Sequence, residues 1–395
     1  MRKILLLIPS MSSAGGSEKL VDSLSRLLIS EYEVSIASFD PLGTKRHFES
    51  DVPYFAIGAD SDFPLPLRVF TYLCAARRLT ALKRMLGTEL TISVLWRADL
   101  INMLTGSGNK ILSLAVINIL NNKTNEKMVR MRTLVGWVYR RFDKILSISP
   151  AIANEFQILC HLDKDKVGVF RNFLSNPDTV SVFSDSVSRF VFCGRSVHEK
   201  NIDGLLHVWA RYVRRNPGRQ LIIIGDGPLF LEMQSLATHL GLTVGVSPVE
   251  SKAHVLFVGS SGQPEAYMMG ARAFLLTSRH EGVPTVAILA ASLGLPILGA
   301  DCHGGGMRHL FGISVDIPLS SASDSPSLTA GLLLPIPDDT FPDTIDVWVH
   351  AMETVDLDQV RRKRWVTGAL EMAANHSPET VRKDWSATIE RLFSQ

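Results

Sequence analysis

Short, almost uninterrupted apolar runs recur along the whole chain. In the first half they fall at residues 4–8, 33–39, 52–57, 90–95, 111–120 and 144–150. In the second they fall at 190–193, 221–224, 255–259, 273–276, 295–298 and 331–335. Runs of this length that do not alternate with polar residues predict strands covered on both faces. The segments between them carry helical signals. Ser17 and Glu18 open an amphipathic stretch ending at Leu28, and Pro284 opens a helical run from Thr285 that Gly294 ends. Strand and helix alternate throughout, which predicts an α/β fold of doubly wound parallel sheets. A segment rich in Ser, Asp and Asn at 175–189 divides the series into two domains, 1–175 and 186–377. A closing helix is expected at 378–395.

Composition narrows this picture. With 395 residues, 46% of them hydrophobic, the chain is long enough for two cores. A net charge of +2 argues against general nucleic-acid binding. Cys74, Cys160, Cys193 and Cys302 lie far apart without metal-type pairing, which fits a reducing cytoplasm and not a disulfide framework. The start MRKILLLIPS imitates a signal peptide, but its apolar run is too short for one and reads as a first buried strand. No run reaches the roughly 18 apolar residues of a membrane span.

The candidate chemistry sits in the polar loops that follow the strands. Gly15 and Gly16 let the backbone approach a ligand closely. Arg97, Asp99 and Asn102 follow the strand at 90–95 and either meet a ligand or form a capped helix start. The second half supplies Gly194-Arg195 with Lys200, then Gly225-Asp226-Gly227-Pro228, Val258-Gly259, and Ser278 to Thr285. In open α/β sheets, ligands bind at the carboxyl ends of strands, where the first helical amides favour an anion.

Taken in order, Gly194-Arg195…Lys200, Gly225-Asp226-Gly227-Pro228, Phe257-Val258-Gly259, Ser278, Glu281-Gly282, Pro284, Gly294, Pro296 and Asp301 resemble the sugar-nucleotide signature of retaining glycosyltransferase family 4. The resemblance implies the GT-B architecture, two Rossmann-like domains facing across a cleft, with the closing helix packed back on the first. It implies that Arg195 and Lys200 clamp the diphosphate of a UDP- or GDP-sugar, helped by backbone amides in the stretch Gly282 to Val286, where Gly282, Val283 and Thr285 can donate and Pro284 lines the site without an N–H. Two cations and a helix start would oppose the charge that builds on the leaving group. Glu281 would bond the donor sugar, Gly225, Asp226, Val258 and Gly259 would line the nucleotide, and Gly15 and Gly16 would face the sugar and diphosphate. No cofactor or metal is implied. The implied activity is hexosyl transfer to a lipid-linked glycan during bacterial polysaccharide assembly. A catalytically degenerate sugar-nucleotide binder and a sugar-nucleotide 2-epimerase are the alternatives.

Two departures matter. Leu289 stands where the family places a second Glu toward the donor's ribose; it either faces the nucleotide or, with the register slipped, the core. Arg308 follows the glycine loop 304–306, where the family often has an acid. Two basic stretches complete the expectations. Arg77, Arg78, Lys83 and Arg84 lie within residues 67–86, and Lys123, Lys127, Arg130, Arg132, Arg140, Arg141 and Lys144 within 122–144. With interleaved aromatics they read either as a surface for an anionic inner membrane, making the protein cytoplasmic and peripheral, or as ordinary solvated helix faces.

Overall fold

The computed structural model describes residues 1–12, 16–47, 50–58, 65–105, 110–115, 132–174, 187–246, 252–314, 316–318 and 328–394. The chain forms two compact units, Met1–Asn172 with Val381–Gln395, and Phe173–Thr380. The expected linker at 175–189 lies mostly outside the described residues.

In the first unit, β1 (Lys3–Ile8), β2 (Glu33–Ser38), β3 (Tyr54–Ala56), β4 (Leu90–Val94), β5 (Lys110–Ala115), β6 (Lys144–Ser147) and β7 (Val167–Val169) form one parallel sheet. Their order is β3-β2-β1-β4-β5-β6-β7. The stretch at 144–150 is therefore not this sheet's last strand: Val167–Val169 pairs beyond it. Leu5, Leu6 and Leu7 are wholly buried, as helices on both faces require. These helices are α1 (Gly16–Leu28), α2 (Leu65–Leu86), α3 (Trp96–Met103), α4 (Arg132–Tyr139) and α5 (Pro150–Cys160).

The second unit repeats the plan with β8 (Ser188–Cys193), β9 (Arg219–Ile224), β10 (Val244–Gly245), β11 (Val255–Gly259), β12 (Ala273–Leu276), β13 (Ile297–Ala300) and β14 (Gly331–Leu334). The order is β10-β11-β9-β8-β12-β13-β14. Its helices are α6 (Ile202–Arg215), α7 (Phe230–His239), α8 (Pro264–Met268), α9 (Thr285–Ser292), α10 (Gly306–Leu310), α11 (Pro342–Leu357) and α12 (Gln359–Ala374). Phe190, Trp209 and Tyr212 pack ring against ring in its core, with centroids 5.4–5.9 Å apart. The Tyr212 hydroxyl donates to Asp356 at 2.9 Å, and Arg219 neutralises that buried carboxylate at 2.8 Å.

Helix α13 (Pro378–Ser394) joins the first unit from residue 381. Trp385 meets Phe170 at 5.9 Å, Ser386 donates to Glu31, and Asp384 pairs with Arg171.

Helix α2 corrects one expectation. Ala75, Ala76, Leu79 and Leu82 form its inward stripe, and Lys83 lies on that stripe, only 2% exposed. Its ammonium donates to Asn102 Oδ1 at 2.7 Å and Thr105 Oγ1 at 2.8 Å. Lys83 therefore cannot meet a membrane surface. Arg78 is committed to the carbonyls of Ile57 and Gly58. Arg77 and Arg84 remain exposed beside Val69, Phe70, Leu73 and Met85. Lys123, Lys127 and Arg130 lie outside the described residues. Among the described residues, no helix is long and apolar enough to cross a membrane.

Candidate functional site

In both sheets the connections reverse direction between the two central strands, β1 and β4 in one and β8 and β12 in the other. At such a switch point adjacent loops diverge and leave a crevice beyond the carboxyl ends. In the second unit, the loops after β8 and β12 carry Arg195, Lys200 and Glu281.

The backbone of this edge is held by close glycine contacts. Gly194 N donates to Ile224 O, Gly225 N to Gly259 O, and Ser196 N to Asp226 O. Gly225, at φ 125°, passes so near that a Cβ would lie 2.0 Å from Gly194 O. Gly194, Gly225, Asp226, Val258 and Gly259 are thus brought to one rim, with Arg195 and Asp226 exposed on it. Asn201, which sequence reasoning overlooked, is wholly buried and donates to Thr277 O and Pro337 O at 3.0 Å each. It ties the loop that bears Lys200 to the end of β12. Arg279 reinforces the tie through Asp203, at 2.9 and 3.2 Å. These partners are distant in sequence, so neither left a local signal.

The reactive groups converge on Glu281. Lys200 Nζ lies 2.5 Å from Glu281 Oε1, and Ser278 Oγ donates to the same oxygen at 2.7 Å. The pair is largely shielded, with the Lys200 and Glu281 side chains 22% and 10% exposed. Glu281 N donates to His303 O at 3.0 Å, and the rings of His280 and His303 stack 5.3 Å apart. Burial first, then the neighbouring His303, holds the His280 imidazole below its usual range. Burial, reinforced by Glu281 and Asp301, pushes the Cys302 thiol up to about 12, so it is not a nucleophile near neutrality.

Above this turn lies the glycine loop. Arg308 grips Asp301 with both arms of its guanidinium, at 2.6 and 2.5 Å, and donates to the carbonyls of Ser314 and Ile317. The anchored loop presses on the Glu281–Gly282 backbone so closely that a Cβ on Gly304 would lie 2.1 Å from Glu281 O. Gly282 and Thr285 are half-buried, while Val283 and Pro284 are buried at the entrance to α9. Leu289 is buried at 9% exposure on a helix whose Ala287, Ile288, Ala290 and Ala291 are also buried.

The residues 180–312, which carry most of this edge, match the family model "Glycosyl transferases group 1". The amylovoran biosynthesis glycosyltransferase AmsD of Erwinia amylovora is 22% identical over 98% of this chain and 99% of its own. The Vi polysaccharide biosynthesis protein VipC/TviE of Salmonella typhi is 31% identical over 120 residues, 30% of this chain, but the match spans only 19% of that protein. The apo lipopolysaccharide outer core galactosyltransferase WaaB superposes with a TM-score of 0.68 at 19% identity, over 98% of this chain and 99% of its own. HepE of Anabaena, solved with UDP-glucose, gives 0.74 at 14% identity over 99% and 100%. Residues 180–312 are thus similar to the group 1 glycosyltransferases, and the fold of the whole chain is that of the GT-B structures.

In the first unit, Gly15 lies outside the described residues, and Gly16 is the exposed first residue of α1. Asp99 and Asn102 are each 1% exposed and face protein rather than solvent. Ser93 Oγ donates to Asp99 Oδ1 at 2.7 Å, the Tyr139 hydroxyl to Oδ2 at 2.9 Å, and Asn102 Nδ2 to Ser93 Oγ at 3.2 Å. With Lys83 they form a continuous polar network beneath the end of β4, and Asp99 stands in the first turn of α3, whose N-cap residue Leu95 makes no side-chain cap. Burial outweighs the donated hydrogen bonds and raises the Asp99 carboxyl to about 7; burial lowers the Lys83 ammonium to about 7. Directly above, Leu95 holds φ 73° and ψ 147°, a region that costs a side-chain-bearing residue about 1–3 kcal/mol. Arg97 is half-buried, its guanidinium 5.3 Å from the Phe39 ring and 5.6 Å from that of Tyr72.

Among the described residues, no group of three or more His, Cys, Asp or Glu is placed to hold a metal ion.

Proposed function

We propose that this chain is a retaining glycosyltransferase of family 4 that moves a hexosyl group from a UDP- or GDP-sugar to a lipid-linked glycan during bacterial polysaccharide assembly. The observation that carries the reading is the convergence of Lys200, Glu281 and Ser278 beside the Arg195 loop at the switch point of the second sheet. Lys200 is already charge-paired, so an entering diphosphate exchanges one anionic partner for another without stripping the ammonium of water. Glu281 then accepts hydroxyls of the donor sugar while Ser278 continues to orient it.

In the transfer, the bond from the anomeric carbon to the diphosphate oxygen breaks and the acceptor oxygen bonds to that carbon on the same face. The acceptor's proton passes to the departing phosphate oxygen. Arg195, Lys200 and the amides entering α9 oppose the charge that grows there, a stabilisation larger at the transition state than before it. The polysaccharide context draws on the names of AmsD and VipC/TviE, and the nucleotide-sugar donor on the UDP-glucose bound by HepE. The exposed Val69, Phe70 and Leu73 with Arg77 and Arg84 would rest on an anionic membrane at its cytoplasmic face.

The test combines ligand panel and variants. A sugar nucleotide that fits the site, at one hundred times its Kd, stabilises the fold by about 2.7 kcal/mol in a thermal-shift assay. Arg195→Ala should weaken nucleoside diphosphate binding by roughly 1.5–3 kcal/mol with the melting temperature preserved, and Lys200→Ala should weaken it similarly while lowering the melting temperature, because the shielded Glu281 carboxylate loses its ionic partner. Unchanged affinity in both variants overturns the clamp. Donor binding without transfer to any lipid-linked glycan supports the degenerate binder instead.

A further inference from the structure

We propose that the outer edge of the first sheet carries a second anion site, built to take the phosphate head of an amphiphile whose chain lies in an adjoining apolar trough. The loop that leaves β2 and returns as the edge strand β3 walls two adjacent cavities. One, of about 560 Å³, is lined by Arg26, Lys45 and Arg46, with Asp51 the single acid among its lining residues. The other, of about 400 Å³, is walled by Leu42, Phe55, Ile57 and Leu82, with Arg78 also at its wall but committed to the carbonyls of Ile57 and Gly58. Thr44 and Tyr54 line both, so the two cavities share a wall.

Three features point to a bound anion. First, neither Lys45 nor Arg46 forms an ion pair with a described carboxylate, whereas Arg26 is already held by Asp22 at 2.9 Å. Among the described residues, Lys45 and Arg46 therefore supply charge that no ion pair compensates. Second, Arg46 Nη1 is buried without a hydrogen-bond partner. A buried guanidinium nitrogen without an acceptor is costly, and an anion in the cavity it borders would satisfy it. Third, the shared wall is rigid. The Tyr54 hydroxyl donates to Asp40 at 3.0 Å and meets Ser38 at 2.7 Å, while Asp40 also accepts from Ser10 Oγ and Met11 N. The ring of Tyr54 thus stands fixed between the basic cavity and the apolar one.

Basic groups on one side of a fixed aromatic wall and aliphatic groups on the other suit a molecule with a phosphate head and a hydrocarbon tail. A prenyl diphosphate has this chemistry; free pyrophosphate shares the head but not the tail. This deepens the acceptor half of the proposed function, and it rests on that reading for its biological role alone. All the lining residues belong to the first unit, whereas Arg195 and Lys200 belong to the second.

The experiment uses the full chain in an Arg195→Ala, Lys200→Ala background, so that the donor edge does not compete for the probes. Calorimetry then measures inorganic pyrophosphate and geranyl diphosphate. Lys45→Gln and Arg46→Gln should each weaken pyrophosphate binding about tenfold or more, without a change in melting temperature. Geranyl diphosphate should bind about tenfold more tightly than pyrophosphate, and Leu42→Ser should narrow that gap while leaving pyrophosphate affinity unchanged. Equal pyrophosphate binding by the parent and the Lys45→Gln, Arg46→Gln double variant overturns the anion site. Equal affinity for the two probes overturns the apolar trough. UDP binding by the chain with Arg195 and Lys200 intact is measured separately. Its failure would count against the transferase reading and leave the pyrophosphate result standing.

Discussion

Replacing Gly306 with alanine tests how tightly the glycine loop controls Glu281. A Cβ at Gly306 would lie 1.6 Å from Gly282 O, 2.5 Å from Gly282 C and 3.1 Å from Val283 Cα. Nonbonded Cβ contacts below 3.0 Å do not occur, so one backbone must retreat from the other by roughly 1 Å or more. The Gly306 side is the harder to move. Met307 is 1% exposed, and Arg308 is fastened to Asp301, Ser314 and Ile317. The displacement therefore falls on Gly282 and carries its neighbour Glu281 away from Lys200 and Ser278. Overpacking of this kind destabilises by about 1–3 kcal/mol, and a shift of about 1 Å at a reacting centre costs about a hundredfold in rate. Arg195 and the Gly225–Gly227 turn make no contact with the new methyl group. The expected outcome is a lowered melting temperature and a transfer rate down about a hundredfold, with UDP affinity changed much less. Calorimetric UDP titration, thermal unfolding and sugar transfer from the best donor read the three quantities. Wild-type turnover and melting temperature in Gly306→Ala would refute the reasoning, because they would mean the two backbones are not in contact.

The remaining predictions address residues whose surroundings differ from what their types suggest. Leu289→Glu should place an unpaired carboxylate at a buried position of α9, lowering stability by about 2 kcal/mol or more without tightening donor binding; tighter donor binding with an unchanged melting temperature would show that the position faces the nucleotide. Asp99 has a folded pKa of about 7 against an ordinary 3.8, so its contribution to stability is full below about 4 and is lost as pH rises through about 7. Between pH 4 and 7 the wild type should accordingly lose melting temperature relative to Asp99→Asn, and parallel pH profiles would contradict this. Sedimentation with anionic vesicles should fall as salt rises and should fall further in Arg77→Ala/Arg84→Ala, because surface charge is screened over about 8 Å at physiological ionic strength; equal binding to neutral vesicles would remove the electrostatic account.

Much of the architecture was legible in the chain itself. A strand covered on both faces is apolar at most of its positions, so runs such as 4–8 and 221–224 announced themselves, and α1 ends at Leu28, where its amphipathic pattern stops. Glycines forced into close backbone approach were legible for the same reason: Gly225 and Gly227 stand in a turn that no side chain fits. Even the burial of Lys83 was implicit, four residues from Leu79 and eight from Ala75 on one helical stripe, although its charge argued for the surface. The partners were not legible. Lys200 and Glu281 are 81 positions apart, Asn201 reaches Pro337 across 136, and Tyr212 reaches Asp356 across 144. A local pattern encodes which face of an element is covered, because covering depends on the period of the element. It does not encode what covers that face, since that depends on strand order and on where each loop returns. The burial of Leu289, the latch between Arg308 and Asp301 and the cavities beside Tyr54 were therefore decided by the tertiary structure alone.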